Sequence, residues 1–133
     1  MPDVVADTHA LIWYLEDSPR LGPEARNAFE ACDRGESIEN VPTICHVEIV
    51  YLLEKGRIPT DLKQALDAAL QAGNTTLVPH PLRLDIVEAL VQVPRTEVPD
   101  MPERIIAATA VHLGAPLISR DRKLQVSNVQ TIW

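Results

Sequence analysis

Basic residues are in deficit: 12 Lys and Arg stand against 19 Asp and Glu, a net charge of −7 over 133 residues. Such a chain does not capture nucleic acid by broad electrostatic attraction. A nucleic-acid enzyme stays open, because clustered carboxylates are one source of negative charge and bound cations reverse it locally. Aromatic residues are rare, at 4%, so no base-stacking platform is evident. Cysteine occurs twice, as Cys32 and Cys45, without a CxxC pair, which speaks against a zinc site. Both fall in expected helices among apolar neighbours and read as buried free thiols, in keeping with a reducing cytoplasm. No apolar run reaches bilayer length, and the N-terminus lacks a basic segment leading into an apolar one. A cytoplasmic protein is the expectation.

Apolar residues make up 46% of the chain, which is ordinary for a globular protein. The length suits a single domain, residues 1–133, with a core of its own. Short apolar runs alternate with helical patterns. Asp3 to Ala6 reads as a buried parallel strand, and Leu11 to Leu15 as helix. Ser18 to Pro23 is a loop by composition, and Ala25, Ala28, Phe29 and Cys32 then mark a helix ended by Gly35. Ser37 to Thr43 is a weak strand. A helix follows to Gly56, and another runs from Pro59 to Gly73. Thr75 to Val78 is a short strand stopped by Pro79 and Pro81. A helix from Leu82 carries Ile86, Ala89, Leu90 and Val93 on one face. Pro94 to Pro102 is a loop. Ile105 to Leu113, apolar nearly all round and rich in alanine, is a buried helix ended by Gly114. Pro116 to Ser119 and Asn128 to Trp133 are strands around a charged turn. The alternation predicts an α/β fold with a mostly parallel sheet of four to five short strands.

Glu48 is the residue to explain. Ile44, Val47, Tyr51 and Leu52 form a helical apolar stripe, and Glu48 lies on it. A carboxylate facing a core is costly unless paired, protonated or bound to metal; at the stripe's margin it reaches water instead. Three more acidic sites accompany it. Asp7 stands between a strand and a helix, as an N-cap or as a ligand in the crevice where open α/β sheets place their sites. Asp100 and Glu103 open the alanine-rich helix in a capping-box pattern, which leaves one of them able to face a crevice. Asp121 follows a strand, as an Asx-turn residue or a second carboxylate at a strand's carboxyl end. Gathered together, these groups repel and raise one another's pKa. A hard divalent cation relieves that repulsion, and all-oxygen ligands suit Mg²⁺ or Mn²⁺. Such an ion acidifies bound water and steadies charge in an in-line phosphoryl displacement.

The stretches Asp7 to Leu15, Val47 to Gly56, Glu103 to Ala110 and Leu117 to Asp121, in that order, resemble the successive motifs of PIN-domain proteins, above all the VapC-type toxins of bacterial toxin–antitoxin pairs. The resemblance runs from Val4 to Trp133. It implies a three-layer PIN-like fold, Mg²⁺- or Mn²⁺-dependent endoribonuclease activity, homodimers, and a cognate antitoxin that blocks the site. It matches Asp7 to the family's first acid, Glu48 to the second and Asp121 to the last, with Ser119 at a supporting hydroxyl position. The third acid departs from the pattern: Glu103 stands where Asp is usual, and Asp100 matches a further Asp that many relatives carry. The longer Glu103 side chain shifts metal geometry, so a catalytically weak or inactive binding module is the alternative.

Among lesser candidates, His9 suits packing at the first helix more than phosphate contact. His112 reads as a satisfied core residue. Arg104, Arg120, Arg122 and Lys123 flank the acids and offer phosphate contacts. A phosphoacceptor receiver domain needs an acceptor Asp at the end of its third strand, and Thr75 to His80 has none. A DxDx[TV] phosphatase is disfavoured because Thr8 and His9 follow Asp7.

Overall fold

A computed structural model describes residues 3–72, 76–121, 124 and 128–133. The elements run β1 (Val4–Ala6), α1 (Thr8–Leu15), α2 (Pro23–Asp33), β2 (Glu39–Pro42), α3 (Thr43–Glu54), α4 (Thr60–Gln71), β3 (Leu77–His80), α5 (Leu84–Ala89), a 3₁₀ turn (Leu90–Gln92), α6 (Met101–Leu113), β4 (Leu117–Ile118) and β5 (Thr131–Ile132). The sheet has five strands in the order β3-β2-β1-β4-β5. Every pairing is parallel, with Val4 opposite Glu39, Val5 opposite Leu117 and Ile118 opposite Ile132. The α/β class and parallel sheet expected from the alternating pattern are therefore found.

β1 is central and all three of its residues are buried. On one side the chain progresses to β2 and β3, on the other to β4 and β5, so the winding reverses between β1 and β4. That reversal opens a crevice at the carboxyl ends of these strands. Asp7 directly follows β1, and Ser119 to Asp121 directly follow β4, which places them at its rim.

Residues Ile105 to Ala110 of α6 are buried without a break. The alanines let this helix approach β1 and α3 closely, as expected from its composition. It begins at Met101, earlier than the Pro-rich stretch suggests, because Pro102 lies in the first helical turn, where its missing N–H costs nothing. Pro79 does not stop β3 either. β3 is an edge strand, and an edge has N–H positions without a ladder partner. The reading of Gly73 and Thr75 falls outside the described residues.

The expected apolar stripe on α3 needs correction. Cys45 and Ile49 are its buried residues, while Val47 and Tyr51 are 48% and 60% exposed. The core meets a face rotated from the one chosen by counting apolar residues, because α3 has apolar residues nearly all round. Cys32 and Cys45 are buried free thiols, as expected. His112 is not a core residue: its Nε2 lies 3.3 Å from Asp85 Oδ2 at the surface.

Candidate active site

Asp7 caps a helix and faces a cleft at once. As the N-cap of α1 it accepts a hydrogen bond from Ala10 N–H at 2.8 Å. Its side chain also faces a cleft of about 730 Å³ at the strand ends. Burial pushes its carboxyl pKa above the ordinary 3.8, and the charge of Asp121 pushes the same way; hydrogen bonding from Ser119 and Ala10 and the nearness of His9 pull against that. Ser119 is 1% exposed, and its hydroxyl accepts from Asp121 N–H at 3.0 Å. One buried hydroxyl thus ties the ends of β1 and β4 together and holds the turn that carries Asp121.

Glu103 comes from the first turn of α6 and lines the same cleft as Asp7 and Asp121. Asp100 does not line it. Its carboxylate accepts from Glu103 N–H at 3.1 Å, the N-cap half of the capping pattern. It is exposed, and it sets the direction in which α6 enters the site.

Glu48 stands behind the cleft lining, reached through Thr8. The Thr8 hydroxyl, 3% exposed, donates to Glu48 Oε1 at 2.5 Å. Beside them the Cys45 thiol is pushed up to about 12, mainly by burial, with Asp7 and Glu48 adding to the rise. The two carboxylates therefore act on one buried sulfur, and Glu48 belongs to the Asp7 neighbourhood. It is half-buried, so Thr8 relieves part of the cost of placing it there.

The rest of the cleft lining is largely aromatic and cationic. His9, Trp13, Arg20, Arg120 and Trp133 belong to it. Trp13 is buried and packs edge-on against Trp133 at 5.7 Å between ring centroids. Gly22 makes that seat possible, since a Cβ there would come within 2.6 Å of Trp133. Arg104 is not a phosphate contact: its guanidinium donates to the carbonyls of Val93 and Leu90 at 2.8 and 2.9 Å and closes the turn before α6. Arg122 and Lys123 fall outside the described residues. Thr8, Trp13, Arg20 and Trp133 were not singled out by sequence reasoning as site residues. Thr8 had a signal in its adjacency to Asp7; Arg20 and Trp133 had none, because only folding returns their segments to β1.

The donor set suits a hard divalent cation: the cleft acids are all oxygen donors, and the charges of Asp7 and Asp121 oppose one another. Among the described residues, no three His, Cys, Asp or Glu side chains stand close enough together, as placed, to coordinate one ion.

A PIN domain family model matches residues 4–128. The chain is 27% identical over 131 residues to the ribonuclease VapC22 of Mycobacterium tuberculosis, covering 94% of this chain and 92% of that one. Its fold is similar to a chain of VapBC2 from Rickettsia felis, solved bound to a promoter DNA fragment, with a TM-score of 0.69, 15% identity and full coverage of both chains. It is also similar to a chain of a toxin–antitoxin complex from Klebsiella pneumoniae, with a TM-score of 0.68, 24% identity and 98% and 97% coverage.

Proposed function

Because this chain belongs to the PIN domain family, we propose that it is a metal-dependent endoribonuclease acting as the toxin of a toxin–antitoxin pair. The observation that carries the reading is the convergence of Asp7, Glu103 and Asp121 on one cleft at the strand ends, with Asp7 raised by burial and by its neighbour's charge. A carboxyl perturbed by burial and a specific charged neighbour, sitting in a cleft, is a candidate for a functional group. The ribonuclease named above supplies the substrate class.

Mg²⁺ or Mn²⁺ is the proposed cofactor, with Asp7, Glu103 and Asp121 as the residues that would hold it and Glu48 in support. When bound, the ion neutralises charge at the scissile phosphate and acidifies water. The chain's own residues orient that chemistry. Ser119 fixes Asp121 relative to Asp7, Thr8 fixes Glu48, and Asp100 caps the turn that presents Glu103. Water attacks phosphorus in line and gives up a proton to solvent, the P–O3′ bond breaks, the 3′-oxygen takes a proton from water and leaves as the upstream 3′-hydroxyl, and the 5′-phosphate stays with the downstream fragment.

The proposed partners are a cognate antitoxin and a second copy of this chain. Val47, Val50 and Tyr51 form an exposed apolar stripe on α3 beside Glu48, which suits a segment that covers the site. Among the described residues, no helix is long and apolar enough to cross a membrane.

The test is RNA cleavage with Mg²⁺ or Mn²⁺, with and without EDTA, for the wild type and Asp7→Asn. Metal-dependent cleavage lost in Asp7→Asn is expected; equal cleavage by the two proteins removes the proposal. The second reading, an inactive binding module, is favoured by Glu103 in place of Asp and by the spread of the acids. It predicts an inert wild type that Glu103→Asp restores.

A further inference from the structure

We propose that Arg20 and Arg120, both seated on the Trp13 indole, form a clamp for an RNA backbone phosphate beside the one being cut, with Trp13 as the positioning residue. The proposal rests on the ribonuclease reading. The Arg120 guanidinium carbon lies 4.7 Å from the Trp13 ring centroid, and that of Arg20 lies 5.9 Å away. Arg20 comes from the loop after α1, and Arg120 from the turn after β4. Both are exposed, and both line the cleft that Asp7, Glu103 and Asp121 also line.

Arginines free to swing in an acidic cleft would collapse onto its carboxylates. Cation–π attraction to a fixed ring holds them back. Trp13 is fixed: it is 8% exposed and wedged between His9 and Trp133, each 5.7 Å away between ring centroids. A guanidinium lying on an aromatic face keeps its N–H edge free and aimed outward, the geometry that takes a phosphate with two parallel hydrogen bonds. The chain has a net charge of −7, so an RNA strand is repelled by most of its surface. A local cationic wall is what lets the backbone enter here. Carboxylates for cations and guanidiniums for phosphate then share one cleft.

The experiment measures binding of a short single-stranded RNA to the full chain with Ca²⁺ in place of Mg²⁺, across a salt series, by fluorescence anisotropy. For a single strand, each phosphate contact contributes about 0.7 to the slope of log affinity against log salt. Removing both arginines is expected to lower that slope by about 0.7, and Arg20→Ala and Arg120→Ala should each lower it in part and weaken binding roughly five- to tenfold. Trp13→Leu should weaken binding with both arginines present, and Trp13→Phe should restore most of the loss, which a merely structural role for the indole would not predict. Thermal melts show whether the Trp13 variants remain folded, and the two surface arginine variants carry the test if they do not. Wild-type slope and affinity in both arginine variants would overturn the clamp while leaving the ribonuclease proposal intact. No RNA binding by the wild type would overturn both.

Discussion

Replacing Glu39 with glutamine should flatten the pH dependence of this protein's stability. Glu39 lies in β2 between Val4 and Leu77 and is only 4% exposed, with Oε1 lacking a hydrogen-bond partner among the described residues. Burial pushes its carboxyl from the usual 4.5 up to about 8, and the charge of Asp33 adds to the rise. The group is thus neutral in the folded protein at pH 7, while in the unfolded chain it is ionised. Its stabilising contribution is fully present below about pH 4.5 and is lost as pH climbs through about 8. At about 1.4 kcal/mol for each tenfold change in proton affinity, the loss over that window is roughly 5 kcal/mol at most. Water reaching the carboxylate by local opening lowers that figure. Cys32 and Tyr14 are raised in their turn, in part by Glu39, so the cluster resists charge as a whole. Urea denaturation at several pH values between 5 and 9 reads the effect. The wild type should lose several kcal/mol relative to Glu39→Gln as pH rises, because the amide cannot ionise. Parallel profiles for the two proteins would mean that Glu39 reaches water or a cation when it ionises, and would refute the reasoning.

Asp100→Ala removes the N-cap of α6 and should cost about 1 kcal/mol of stability, seen as a Tm lower by a few degrees. Cleavage per folded molecule should fall only in part, since Asp100 lies outside the cleft lining and acts through Glu103, and Asp100→Asn or Asp100→Ser, which keep a cap, should restore it; a loss that neither capping residue restores would mean that the Asp100 carboxylate itself serves the reaction. Thr8→Val leaves Glu48 Oε1 without its donor and should cost about 1–3 kcal/mol in a urea melt. Cleavage should fall with it and return in Thr8→Ser; unchanged activity in Thr8→Val would remove Glu48 from the working site.

Much of the fold was legible because burial leaves a periodic trace. β1 reads as a run of apolar residues because both faces of a central strand are covered. α6 reads as apolar all round because it is packed on more than one side. The errors sit where that trace is weak. α3 is apolar on too many faces for counting to choose one: of the expected stripe, Ile44 and Leu52 pack against the core while Val47 and Tyr51 are exposed. Pro79 signals a break only if its strand is interior, and strand order is not a local property. The acids were visible singly, each with an ordinary duty as a cap or turn residue, and Asp7 turned out to keep its cap while facing the cleft.

The sequence by itself determined the alternation of strands and helices, the parallel sheet, and the positions of Asp7 and Asp121 at strand ends, because each depends on residues within a few turns of one another. Only the tertiary structure decided that Glu103 faces the cleft while Asp100 caps the helix, that Thr8 holds Glu48, and that Arg20, Arg120 and Trp133 converge on Trp13. Those contacts join segments far apart in the chain. They exist because hydrophobic burial closes the sheet and helices into one body, and a side chain's own neighbours in sequence carry no record of what that closure brings against it.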